Sequence, residues 1–312
     1  MLLGVDVGGT KTAVVLGDRS GTVAARRRIP SPLHLAPEAM IDVIAGIARE
    51  MIGSSVDEPV EAVGVSIGGP LDSEAGLILG PPHLPGWDEV PLRALLEARL
   101  ALPVFVEHDA RTGALAEWRF GSGIGPDGQQ TRDLIFLTLG TGLGAGIITG
   151  GRLLHGRSRR TAEAGHWRIA PDGPQMFGKH GSWESYCSGA GIVALARWRY
   201  PSDFVDTSLT QLAALARDGN AQARAIFDES AHMLGQGIAL LCDLFAPDVV
   251  ALGALGVRLG DLLVPGALAA LHLEALPAVA ARCRVVPTAL GERIGDVAAL
   301  CAALYRLETG ET

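Results

Sequence analysis

Ten residues near the N-terminus constrain this chain more than any others: Leu2-Leu3-Gly4-Val5-Asp6-Val7-Gly8-Gly9-Thr10-Lys11. A short apolar run carrying one carboxylate meets a Gly-Gly-Thr turn, and a second apolar run, Thr12 to Leu16, follows. The two runs read as strands and the residues between them as a tight turn. Glycines there let backbone N–H groups approach an anion closely, and an aspartate just upstream can hold a magnesium ion beside phosphates. An ordinary Gly-Gly hairpin satisfies the same residues with no ligand at all. A Walker P-loop does not fit. Counting from Gly4, Gly9 falls correctly, but Thr10 stands where that motif needs lysine, and a strand follows instead of a helix.

At 312 residues the chain has room for two domains, and a 48% share of hydrophobic residues is enough to fill both cores. The net charge of -8 argues against a nucleic-acid partner, which would need clustered Lys and Arg. No apolar run approaches the roughly 20 residues of a membrane span, and the N-terminus lacks the basic region and cleavage site of a signal peptide. Cys187, Cys242, Cys283 and Cys301 are far apart and show no C-x-x-C spacing. They read as reduced core thiols of a cytoplasmic protein.

Along the chain, Thr22 to Ile29 reads as a strand that is basic on its outer face, and Pro37 to Ile52 as an amphipathic helix. Ala62 to Ile67 is an apolar strand ending in Gly68-Gly69-Pro70. Leu79 to Trp87 reads as a proline-rich surface loop, and Pro91 to Leu100 as a helix with Pro91 in its first turn. Val104 to Val106 is a short strand, and Ala110 to Phe120 a helix, which puts Asp109 where a strand ends and a helix begins. Ligands bind at that edge of an α/β sheet, although aspartate also favours the position simply as a helix cap.

Gly121 to Arg132, rich in glycine and polar residues, reads as a domain connection. Beyond it the opening logic recurs. A strand, Leu134 to Leu139, meets Gly140-Thr141-Gly142-Leu143-Gly144-Ala145-Gly146, and a strand, Ile147 to Thr149, follows. Two such hairpins in separate halves suggest a duplicated architecture that grips phosphates. Glu163 and His166, in Thr161-Ala162-Glu163-Ala164-Gly165-His166, and Glu184, in Gly181-Ser182-Trp183-Glu184, could bind sugar hydroxyls or be exposed loop residues. His166 and Cys187 alone are too few ligands for a structural zinc. The last third reads as helices at Ser208 to Arg217, Ala221 to Phe245, Gly260 to Leu271 and Ile294 to Leu307. Strands at Val249 to Leu252 and Cys283 to Val286 separate them.

Taken together these residues resemble the ROK family of sugar kinases, from Leu2 to nearly the end of the chain. The resemblance is carried by the opening decapeptide, Ser66-Ile67-Gly68-Gly69-Pro70, Leu84-Pro85-Gly86-Trp87, His108-Asp109-Ala110, Leu139 to Gly144, Glu163 to His166 and Gly181 to Glu184. It implies an α/β chain with the actin-like, ribonuclease H-like ATPase fold, in two lobes with a central cleft. The expected lobes are 1–120 and 121–312, with the helix at about 294–308 returning to pack on the first.

The resemblance also implies roles. Asp6, Gly8, Gly9, Thr10 and Lys11 form one phosphate hairpin, with Asp6 near magnesium. Gly140, Thr141, Gly142 and Gly144 form the other, and Gly253 lies against the nucleotide. Asp109 is the catalytic base. Gly69, His83, His108, Asp109, Glu163, His166 and Glu184 face the sugar. The cofactors are ATP and Mg2+, the expected activity is phosphorylation of glucose at O6, and the assembly is a homo-dimer or homo-tetramer. N-acetylmannosamine, N-acetylglucosamine, fructose and allose are the alternative acceptors.

Two departures stand out. The family's zinc cysteines would fall at Gln175, Phe177 and Ser182, so no zinc is expected, and packing by Phe177 and Trp183 is expected to brace that loop instead. Histidines at 83 and 108 stand where relatives tend to carry asparagine. A non-catalytic sugar sensor of the same fold would lack the base that Asp109 supplies. An acetate- or butyrate-type acyl kinase would not need the Glu163, His166 and Glu184 set. The chain begins directly at the phosphate strand, so the helix-turn-helix of the family's repressors is not expected.

Overall fold

The computed structural model of the protein describes residues 1–55, 58–156 and 162–310. They form two compact units, one built from Met1–Phe120, Leu153–Ala162 and Glu292–Thr312, the other from Gly121–Arg152 and Glu163–Gly291. The described part of 153–162 therefore belongs with the first unit, which corrects its assignment to the second lobe. Two contacts hold it there: the Leu153 N–H donates to the Tyr305 hydroxyl at 3.3 Å, and the His155 ring meets the Arg111 guanidinium. Thr161 lies outside the described residues.

The first unit is a five-stranded sheet of β1 (Leu2–Val7), β2 (Lys11–Gly17), β3 (Val23–Pro30), β4 (Ala62–Ile67) and β5 (Val104–His108), in the order β3-β2-β1-β4-β5. The first three strands run antiparallel as a meander, while β4 and β5 continue parallel to β1. Alternation along β1 sends Leu3, Val5 and Val7 to one face. There they meet Ile41, Ile44 and Ala48 of α1 (Pro37–Ser54) and Leu96 of α2 (Leu92–Leu100). On the other face Leu2, Val15 and Ala62 pack on Leu300, Ala303 and Leu304 of the C-terminal helix, Ile294–Thr309. That helix lies almost on the backbone of the sheet: a Cβ on Gly64 would sit 2.1 Å from the Ala299 carbonyl oxygen. Asp6, Ser66 and Glu107 are register partners across β1, β4 and β5. Paired positions share a face, so a polar row crosses the sheet at the carboxyl ends of its parallel strands. Helix α3 (Asp109–Phe120) starts directly from β5.

The second unit repeats the plan. Its sheet of β6 (Leu134–Leu137), β7 (Ala145–Thr149), β8 (Arg152–Leu153, whose second residue opens the segment that belongs with the first unit), β9 (Val249–Leu252) and β10 (Arg284–Pro287) has the order β8-β7-β6-β9-β10. Here too an antiparallel hairpin, β6–β7, is followed outward by strands parallel to the first. Its helices are α4 (Trp183–Cys187), α5 (Gly189–Arg199), α6 (Leu209–Arg217), α7 (Ala221–Phe245) and α8 (Gly260–Glu274), with short helices at Ala254–Arg258 and Pro277–Ala280. Trp183, Ile192, Phe227, Leu234 and Leu252 lie in one core. The four cysteines are buried free thiols. No helix among the described residues is long and apolar enough to cross a membrane.

Two local expectations change, and one helix has no counterpart in the sequence reading. The 79–87 loop is not wholly superficial, because Leu84 and Trp87 are buried in the first core. Pro91 precedes the first turn of α2 rather than sitting in it. Helix α5 gives no clear amphipathic signal because it opens on Gly189-Ala190-Gly191, and Gly189, Gly191, Ile192, Leu195 and Ala196 are all buried.

Candidate active site

In the first unit, β1 ends at the Gly8–Thr10 turn. The Gly8 N–H donates to the Lys11 carbonyl at 3.1 Å, and the Ser31 N–H donates to the Thr10 carbonyl at 2.9 Å. The Ser31 hydroxyl reaches both the Gly8 carbonyl and the Thr12 hydroxyl. The turn is thus fixed from below by Ser31, with Lys11 exposed at its far side.

Beside it, burial pushes the Asp6 carboxyl up to about 7, helped by the charges of Asp109 and Asp296 and opposed by Arg26. Asp296, in the first turn of the C-terminal helix, is itself raised by burial, although Arg26 lies 3.1 Å away. A Cβ on neighbouring Gly295 would stand 2.7 Å from Asp6 Oδ2, so the helix end is seated on the carboxylate. Carboxyls crowded in this way favour a bound cation. Among the described residues, however, no three His, Cys, Asp or Glu side chains are arranged to hold a metal by themselves. Asp6 could serve as one ligand of a divalent cation that brings its other ligands with it.

Asp109 is the first residue of α3, and its side chain is 47% exposed. Burial of its surroundings would raise its pKa. The His108 imidazole, with Nδ1 3.1 Å from Asp109 Oδ1, outweighs burial together with the Ala110 N–H, so the carboxyl lies below its ordinary range. Both imidazoles cap the glycine turn after β4: the His83 ring stands over Gly68 and the His108 ring over Gly69, while the His83 backbone also abuts Gly9. Burial lowers the pKa of His83 and favours its neutral form, although the charge of Asp109 pulls the other way. Gly9, Gly69, His83, His108 and Asp109 are thereby brought together.

Behind Asp109 lies a hidden frame. The Ser66 hydroxyl is 2.9 Å from the Thr112 hydroxyl, which donates to the Asp109 carbonyl at 3.0 Å. Glu107 accepts the His108 N–H at 2.8 Å and pairs with Arg111 at 2.9 Å, one helical turn on, while Arg306 approaches from the C-terminal helix. All three charged side chains are buried. The sequence reading missed this frame and Ser31. Only the i, i+4 spacing of Glu107 and Arg111 could have signalled it.

In the second unit the turn between β6 and β7 is held at several of its carbonyls and amides. Thr138 N–H donates to the Gly144 carbonyl at 2.9 Å, and Gly144 N–H to the Thr138 hydroxyl at 2.8 Å. The Gly189 and Ala190 amides opening α5 donate to the carbonyls of Gly140 (2.8 Å) and Thr141 (3.2 Å). The Leu143 N–H donates to Glu184 Oε2 at 2.7 Å. Gly253 packs with its α-carbon against the same strand end, where a Cβ would lie 2.0 Å from the Thr138 carbonyl.

Glu163 and His166 flank the short 3-10 turn Ala164–His166 and are exposed, whereas Glu184 is buried. Burial raises the Glu184 pKa. The Leu143 amide and His166 oppose that, and Glu163 adds to it, so Glu184 feels both neighbouring groups. The loop joining them rests on aromatic packing. Trp167 and Trp183 stack with centroids 5.9 Å apart, Trp183 Nε1 donates to the Met233 carbonyl at 3.0 Å, and the Tyr186 hydroxyl donates to the Asp172 carbonyl at 2.9 Å. Of the two expected braces, Trp183 is buried. Phe177 is 59% exposed and only leans on the His166 ring, 5.3 Å away.

Comparison with known proteins gives a consistent result. A sequence model described as the ROK family matches residues 2–300. The chain is 34% identical over 279 residues to a glucokinase of Streptomyces coelicolor, covering 85% of this chain and 84% of that protein. It is 32% identical over 238 residues to an N-acetylmannosamine kinase of Shigella boydii, covering 76% and 77% respectively. Among solved structures it is similar to a ROK family glucokinase from Streptomyces griseus in complex with glucose and AMPPNP. There the TM-score is 0.77 at 32% identity, covering 96% of this chain and 97% of that one.

Proposed function

The chain belongs to the ROK family, and from that premise we propose that it is an ATP-dependent sugar kinase that phosphorylates glucose at O6, with Asp109 as general base. The single observation carrying the reading is Asp109 itself. Its side chain is half-exposed on a strand-to-helix junction, and His108 holds the carboxyl below its ordinary range against the effect of burial. Phosphoryl transfer asks a protein mainly for positioning and charge neutralisation. The two glycine turns offer backbone N–H groups for phosphate oxygens, and Lys11 adds a positive charge. A magnesium ion held by the phosphates and Asp6 would neutralise charge on the nucleotide. Asp109 accepts the proton of the attacking hydroxyl as its oxygen bonds to the γ-phosphorus of ATP, while the bond from that phosphorus to the bridging oxygen breaks and ADP leaves. Glu163, His166 and Glu184 hold the remaining hydroxyls and set which one attacks.

Glucose leads because the glucokinases of Streptomyces are similar over most of both chains. N-acetylmannosamine is the second acceptor class, since a kinase for that sugar is nearly as similar. The reading includes a homo-dimer or homo-tetramer, which sedimentation velocity checks. The deciding experiment is ADP release with a panel of hexoses and N-acetylhexosamines. Glucose should give the highest kcat/KM, with glucose 6-phosphate as product. An N-acetylhexosamine or fructose ranking first would reassign the acceptor, and no turnover on any sugar would end the kinase reading.

A further inference from the structure

Glu184 is two-handed. Its Oε2 accepts the Leu143 N–H at 2.7 Å, inside the glycine turn. Its Oε1 is buried and has no hydrogen-bond partner among the described residues, and the residue as a whole is only 8% exposed. A buried carboxylate oxygen left bare is costly, so this one marks a place where a ligand hydroxyl completes the arrangement. The turn is tied to the same segment at two further points. A Cβ on Gly142 would lie 2.8 Å from Glu184 Oε2, and one on Gly165, between Glu163 and His166, 2.2 Å from the Leu143 carbonyl. The turn and the hydroxyl-binding loop therefore cannot move independently around Leu143.

We propose that Glu184 is a positioning residue for the nucleotide as well as a ligand for the sugar: one oxygen fixes the Gly140–Gly144 turn in its phosphate-binding shape, and the other takes a sugar hydroxyl. The proposal rests on the sugar-kinase reading for the identity of both ligands. It adds that occupancy of the sugar position is felt at the phosphate turn through a single side chain. A hydroxyl donating to Oε1 orders the carboxylate, and an ordered carboxylate orders the Leu143 amide. By linkage, sugar and nucleotide then tighten each other's binding by the same factor.

The test is the affinity of the full-length protein for AMPPNP with magnesium, by calorimetry, first with no sugar present. Glu184→Ala should weaken AMPPNP about tenfold or more, the loss expected of a hydrogen bond to a charged group. Glu184→Gln keeps an acceptor for the Leu143 N–H and should stay within about threefold of the parent. Glu163→Ala, which removes a hydroxyl ligand away from the turn, should leave AMPPNP affinity unchanged while raising the KM for sugar. Added glucose should tighten AMPPNP in the parent protein, and Glu184→Ala should abolish that gain. Parent-like AMPPNP affinity in Glu184→Ala, or equal losses in the Ala and Gln variants, would overturn the inference. Failure of the kinase reading is separate: a parent protein that binds AMPPNP yet phosphorylates no sugar contradicts that reading, while the Glu184 effect on AMPPNP is still measured.

Discussion

The glycine turns of the two units occupy the same place in the same strand order, yet they are held by different means. The first, Gly8–Thr10, rests on one hydroxyl residue, Ser31, and stands among acids: Asp6, Asp109 and Asp296. The second is tied by α5 amides and by Glu184, within a core dominated by apolar side chains. Repetition of a sheet supplies position only: a turn at the end of an antiparallel hairpin, beside parallel strands. Chemistry comes from what surrounds the turn. On the proposed reading, the first unit concentrates charge for proton and phosphate handling, and the second concentrates fixed geometry for hydroxyl recognition.

That contrast can be broken by substitution. The largest expected effect lies in the buried frame of the first unit. Arg111→Ala would take from buried Glu107 the guanidinium 2.9 Å away, with Arg306 standing farther off at 3.8 Å, and should cost about 3–5 kcal/mol in urea unfolding. A loss below about 1 kcal/mol would mean that the frame behaves like a surface ion pair.

Asp6→Asn should act in the opposite direction. A carboxyl raised to about 7 in the folded state favours folding below the ordinary carboxylate range and loses that contribution as pH rises through 7. Removing the charge should therefore stabilise the unliganded protein at pH 8 by as much as about 4 kcal/mol, while impairing turnover with magnesium-ATP. A lower Tm for Asp6→Asn than for the parent at pH 8 would contradict the crowding argument.

The smallest effect belongs to the second unit. Glu163→Ala should raise the sugar KM about tenfold, the loss of one exposed charged hydrogen bond, with little change in Tm. An equal fall in kcat would assign Glu163 a role in the transition state instead.

Much of this was legible in the sequence because the signals are local. Ala62–Ile67, Val249–Leu252 and the 25-residue α7 fall where the apolar runs place them. Asp109 could be located because a strand and a helix abut at it. The parts that stayed hidden depend on contacts between distant segments. Ser31 reaches the first turn across 23 residues, Arg306 comes from the far end of the chain, and Trp183 caps its indole on Met233. None leaves a periodic or spaced trace. Asp296 and Arg26 stayed hidden for the same reason, since their importance is electrostatic and exists only once the C-terminal helix is seated on the sheet.

The central claim concerns one carboxylate, and steady-state kinetics of Asp109→Asn with the preferred sugar measure it most directly. The account predicts a kcat lowered about 10²–10⁴-fold, with the sugar KM within about threefold of the parent because the hydroxyl ligands of the second unit are intact. Retention of more than about a tenth of the parent kcat would contradict a general-base role for Asp109.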